Sequence, residues 1–126
     1  MIIDVHTHAW QYPDHFTDDF REQGRHAKGG GDLDLTVTLD AYNATGGSKA
    51  DHVIVFGGKA RLSGLWVDDD YVARYVAQDP DRLIGFLSVD PTQPDWHSEM
   101  TRGHQELGMK GIKLLSMYAG FYPHEE

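Results

Sequence analysis

No cysteine occurs among the 126 residues. Disulfides and thiolate metal centres are therefore excluded, and any metal has to be held by His, Asp, Glu or a modified Lys. Long apolar runs are missing as well: no stretch approaches the roughly 20 apolar residues of a membrane span. Positive charge is scarce, with 11 Lys and Arg against 20 Asp and Glu and a formal net charge of −9. Such a chain repels nucleic acid and anionic membrane, and its few basic residues form no stripe, so neither is expected as a partner. The surplus of carboxylates reads first as a solubility feature. Met1-Ile2-Ile3-Asp4-Val5 lacks the basic flank and apolar core of a signal peptide, which makes the cytoplasm the default expectation.

What is present is an alternation of strand-like and helix-like segments. Ile2–Thr7, His52–Phe56, Leu83–Val89 and Gly111–Leu115 read as short apolar strands. Leu35–Ala44 reads as a helix with Leu35, Leu39 and Tyr42 on one face, though Thr36, Val37 and Thr38 are β-branched and weaken it. A second helix follows Asp68 as N-cap, burying Tyr71, Val72, Tyr75 and Val76 and stopping at Asp79-Pro80. A third starts near Pro94, with Trp96, Met100, His104 and Leu107 in one stripe. Residues 9–34, 57–67 and 116–126 read as loops, the first carrying Gly29-Gly30-Gly31.

The order βαβαβαβ implies a parallel sheet with right-handed crossovers. The expected unit is one domain over residues 1–126, an α/β half-barrel of four strands and three helices. A complete (β/α)8 barrel usually needs about 250 residues.

Strand side chains alternate between faces. Asp4, His6 and His8 are therefore expected on one face, pointing into the barrel, with the histidines at its C-terminal mouth and Asp4 supporting them from beneath. That mouth is where barrel enzymes place their active sites. Two imidazoles spaced i, i+2 on a strand can hold one divalent ion. The plainer alternative is a pair of solvated loop-edge histidines, and the strand context favours the metal. His15, His26, His52, His97, His104 and His124 fall in loops, on an outer helix or at the far end of a strand, and read as structural or solvated. Gly57-Gly58-Lys59 lacks the frame of a phosphate-binding loop, and no Ser-His-Asp pattern is present.

Three segments carry a family resemblance: Ile2-Ile3-Asp4-Val5-His6-Thr7-His8; Arg82-Leu83-Ile84-Gly85-Phe86-Leu87-Ser88-Val89-Asp90-Pro91; and Gly108-Met109-Lys110-Gly111-Ile112-Lys113-Leu114 with Tyr118-Ala119-Gly120-Phe121-Tyr122-Pro123. Together and in this order they resemble the amidohydrolase superfamily, in particular its amidohydrolase-related group with the aminocarboxymuconate-semialdehyde decarboxylase-like enzymes. The resemblance implies a (β/α) barrel of the metal-dependent hydrolase type. It implies a divalent ion, zinc first and manganese or another ion second, with His6 and His8 as first-strand ligands. The family's other ligands and its catalytic aspartate come from strands five, six and eight, which these residues do not supply. Many relatives have a histidine where this chain has Leu115.

The implied function is hydrolysis of a small carbonyl, amide or carboxylate substrate by a metal-activated water. Non-oxidative decarboxylation or hydration on the same site is the first alternative. Lys113 is a candidate to meet an anionic substrate group, although neutralising Asp4 or other interior carboxylates is its preferred role. Trp10 and Tyr118 are candidates to line the pocket, with aromatic packing as an equal alternative. Two ligands rarely suffice for catalytic zinc. Three arrangements answer this: an N-terminal fragment of a full-length hydrolase, associating with the C-terminal half that it lacks; a homodimer closing the barrel; or a non-catalytic half-barrel that serves as a binding module.

Overall fold

The structure is a computed structural model and describes residues 1–124. Four parallel strands, β1 (Ile3–His8), β2 (His52–Phe56), β5 (Leu83–Val89) and β6 (Gly111–Leu114), lie side by side in the order β1-β2-β5-β6. They curl into a half-barrel of the expected type. Helices α1 (Asp18–Ala27) and α2 (Leu39–Ala44) link β1 to β2; α3 (Asp69–Val76) and α4 (Trp96–Gln105) make the next two crossovers. A short hairpin, β3 (Gly58–Ala60) and β4 (Leu65–Val67), leaves the end of β2, and a single turn of helix, α5 (Ser116–Ala119), follows β6.

The core lies between the sheet and its helices. Val53, Val55, Leu83 and Leu87 point from the sheet to meet Val72 and Tyr75 of α3, and all are buried. Full burial of each such aliphatic side chain contributes about 1.5–3 kcal/mol. Glycines bring the layers close: a Cβ on Gly103 of α4 would stand 2.9 Å from Leu87, so α4 seats directly on β5.

Three segments depart from the sequence expectation. The expected helix over residues 35–44 forms only from Leu39, because Thr38 caps it, its hydroxyl accepting the Ala41 N–H. The β-branched run before it stays extended. Within the expected loop 9–34, Asp18–Ala27 is helical, capped by Thr17 and carrying Asp18 and Asp19 in its first turn. That helix buries no residue fully and carries Phe20 as its only large apolar side chain, so no apolar stripe announces it. The expected loop 57–67 is the β3–β4 hairpin, turned by Gly64 at φ +80°. Of the expected loop 116–126, residues 116–119 form α5, and 125 and 126 lie outside the described residues.

The hairpin is fixed by a buried ion pair. Lys59 Nζ lies 2.8 Å from Asp69 Oδ2, both side chains being almost fully buried. The other Asp69 oxygen accepts the Ser88 N–H of β5 at 2.9 Å. Burial pushes the Asp69 carboxyl above its usual range, and Lys59 opposes that shift. The lysine of the phosphate-loop look-alike is thus a structural clamp.

The expected stripe on α4 is divided: Met100 and Leu107 pack against the core while its Trp96 end opens on a groove. Trp96 and Met100 line a cavity of about 590 Å³ with Val89, Ile112, Leu114 and Phe121. Among the described residues, no helix is long and apolar enough to cross a membrane.

Candidate metal centre

β1 is not a regular strand. Asp4 pairs with Val53 and Thr7 with Val55, so three steps of β1 run opposite two of β2. One extra residue makes a β-bulge. Because Val53 and Val55 face the helices, Asp4 and Thr7 face them too, while His8 pairs with Phe56 on the opposite, inner side. Asp4 is therefore not beneath the histidines in the barrel interior. Simple alternation fails here because the bulge switches faces between Asp4 and His6.

Asp4 has a different task. Its Oδ1 accepts the His6 N–H at 3.0 Å, the backbone donor at the bulge. Its Oδ2 accepts the Tyr42 hydroxyl of α2 at 2.7 Å. These two bonds hold its carboxyl below the usual range, the His6 N–H contributing most. Tyr42, Asp4 and the bulge thus form one chain that sets where His6 leaves the strand.

On the inner face three groups gather around Phe56. The His6 and His8 rings stand edge-on to it at 5.1 and 4.8 Å, and to each other at 5.2 Å between centroids. Lys113 Nζ sits 4.6 Å from the centre of the Phe56 ring, a cation–π contact. Lys113 reaches this face because its register partner on β5 is Ser88 and alternation sends Ile112 and Leu114 outward. The preferred expectation, that Lys113 neutralises Asp4, is corrected by the bulge: the carboxylate is on the other side of the sheet. Among the described residues Lys113 has no ion pair.

His8 is held most firmly. Its Nδ1 lies 2.9 Å from Gly57 O, and since a carbonyl only accepts, Nδ1 carries the proton. Nε2 is left with its lone pair. Burial is the main cause that pushes the imidazole down to about 4, with the positive charges of His6 and Lys113 adding to it, so the ring is neutral near pH 7. A neutral imidazole whose far nitrogen is anchored on a carbonyl is the form that binds metal.

A sequence model of the amidohydrolase family matches residues 3–126. The chain belongs to the amidohydrolase family. No match was found among curated proteins. The family gives the chain a function of hydrolase type, and its members are generally metal-dependent. The donor chemistry of the inner face fits part of such a site: two imidazoles, one already in the ligating tautomer, at the C-terminal end of the first strand. Among the described residues, no group of three or more His, Asp or Glu side chains is arranged to hold a metal ion. The pair alone does not make up such a group among the described residues.

The other candidates divide. Trp10 stacks on His8 with 4.0 Å between centroids, so it belongs to the centre. Tyr118 does not: it lies on α5, 53% exposed, and makes no ring contact with the cluster. Leu115 packs on the hairpin; a Cβ on Gly58 would meet its Cδ1 at 2.8 Å. The remaining histidines are placed elsewhere. His15 meets Tyr71 at 4.5 Å, His26 approaches Glu22, His104 bonds Met109 O, and His124 lies beside Tyr122.

Sequence reasoning missed Phe56, Gly57 and Tyr42. Phe56 and Gly57 were open to detection, since the C-terminal end of any barrel strand flanks the mouth. For Tyr42 no signal existed, because its role follows from the bulge.

Proposed function

We propose that this amidohydrolase is a metal-dependent hydrolase for a small carbonyl, amide or carboxylate substrate. His6 and His8 supply two ligands for a divalent ion, with zinc the first choice for an imidazole site. The observation that carries this reading is the Nδ1–H of His8 on Gly57 O, which leaves Nε2 as a ready donor beside His6. When bound, such an ion would lower the pKa of water to about 7 and so supply hydroxide at neutral pH. Phe56 forms the apolar floor. Lys113, unpaired and held over that floor, orients an anionic group of the substrate by its charge. That same feature favours one second reading, non-oxidative decarboxylation of a carboxylate substrate, in line with the decarboxylase-like group that the motifs resemble.

Zinc titration of the chain and of His6→Ala/His8→Ala tests the proposal. Loss of bound zinc and of hydrolysis in the double variant is expected; survival of both sinks it. Carbon dioxide release without uptake of labelled water oxygen selects the second reading. Catalytic zinc usually takes three protein ligands. If a second copy supplies the rest, one ion is bound per two chains by a species of twice 14.2 kDa.

A further inference from the structure

We infer that Trp10 is a positioning residue: its indole fixes the ring plane and the tautomer of His8. The inference rests on the metal-ligand reading of His8 for its purpose, but not for its geometry.

Gly57 O accepts two hydrogen bonds, from His8 Nδ1 and from Trp10 Nε1, each at 2.9 Å. A carbonyl oxygen has two lone pairs, and both are used. The indole N–H pins the oxygen in the direction that His8 needs. The indole ring then lies over the imidazole, 4.0 Å between centroids and 33° between planes. Phe56 closes the other approach, edge-on at 4.8 Å and 86°. Rotation of the His8 ring would drive it into one of these two walls.

Trp10 is itself held. Its carbonyl accepts the Val37 N–H at 2.9 Å. Its ring stands at 89° against Phe16, which is buried. Gly57 cannot drift either, because the place of a Cβ there is occupied by Val67 at 2.5 Å. The carbonyl, the indole and the phenyl ring therefore form a rigid seat. His6 has no comparable seat: it is exposed, and its ring nitrogens have no hydrogen-bond partner among the described residues. One ligand is fixed in advance and the other is free to adjust.

Free imidazole in water favours the Nε2–H tautomer. The seat imposes the other one. This gives a readout that needs no metal and that mere packing would not move. Long-range 1H–15N correlation on the chelated protein near neutral pH reports the His8 tautomer, and a Co(II) titration reports affinity. The wild type is expected to show His8 as Nδ1–H. Trp10→Leu, which removes both the N–H and the stack, is expected to mix the tautomers and weaken Co(II) roughly 10- to 100-fold, the usual effect of losing a group that orients a ligand. Trp10→Phe keeps a stacking ring and is expected to recover much of the loss. A folded Trp10→Leu with the wild-type tautomer and affinity overturns the inference. So does a wild type with His8 as Nε2–H, which decides the matter even if Trp10→Leu fails to fold. If the tautomer responds as expected but Co(II) binds neither protein, positioning stands and the metal reading of the site fails.

Discussion

Burial of a neutral His8 makes folding sensitive to mild acid in a way that one substitution can isolate. The ring sits at about 4 in the fold against 6.5 for an ordinary imidazole. Each pH unit between folded and unfolded values is worth about 1.4 kcal/mol, so the full effect is about 3 kcal/mol. The sign follows from proton counting. Above the unfolded value neither state is protonated, and the contribution is complete. Between 6.5 and about 4 the unfolded chain binds a proton that the fold refuses, so stability falls as pH falls. Below the folded value no more is lost.

The comparison is wild type against His8→Gln, whose amide can still donate to Gly57 O but does not titrate. Urea unfolding of both, in chelator, at points from about pH 7 down to about pH 4.5 gives the difference in stability. Asp4, Asp70, Asp90 and Glu99, all held below their usual ranges, also lose stability in acid, and Asp69 shifts the other way. They are common to both proteins and cancel in the difference. Wild type is expected to lose its advantage by about 2–3 kcal/mol over that interval. Domain stabilities are about 5–15 kcal/mol, so the change is readily measured. A difference that stays flat across the interval would refute the neutral, desolvated ring and the electrostatics built on it.

Three further outcomes follow from single contacts. Tyr42→Phe deletes the donor to Asp4 Oδ2, 2.7 Å away; a loss of about 1–2 kcal/mol in urea unfolding is expected, because a carboxylate oxygen loses its partner. Lys59→Met leaves Asp69 buried without its counter-charge, and a loss of about 3–5 kcal/mol is expected, with Lys59→Met/Asp69→Asn recovering part of it. Gly57→Ala forces a Cβ into Val67; a loss of about 1–3 kcal/mol in thermal or urea unfolding checks that contact.

Most of the frame was legible because it rests on apolar period and chain order. Four short apolar strands separated by helical patterns leave few topologies, and the sheet order β1-β2-β5-β6 follows from right-handed sequential crossovers. The position of His6 and His8 at the end of β1 was legible for the same reason. What escaped had one of two causes. The β3–β4 hairpin is short and leans on a tertiary partner, the Lys59–Asp69 pair, that has no local signature, while α1 carries cap residues but buries none of its own residues fully. The face of Asp4 escaped because a bulge adds one residue between two strands, and a single sequence does not show which residue a neighbour skips.

That one residue decides the charge of the site. In a regular strand Asp4 would share the inner face with His8 and stand toward Lys113, cancelling its charge. The bulge sends the carboxylate to Tyr42 and the helix side. The strand residues left on the inner face are Ile3, His6, His8, His52, Ile54, Phe56, Ile84, Phe86, Ser88, Gly111 and Lys113, with no acid among them. Two consequences bear on function together. Lys113 has no strand carboxylate beside it on the inner face, and under the proposed function any carboxylate ligand or catalytic acid comes from residues outside these four strands. The inner face of the four strands therefore presents the imidazoles of His6 and His8 and the lysine Lys113 with no strand carboxylate beside them.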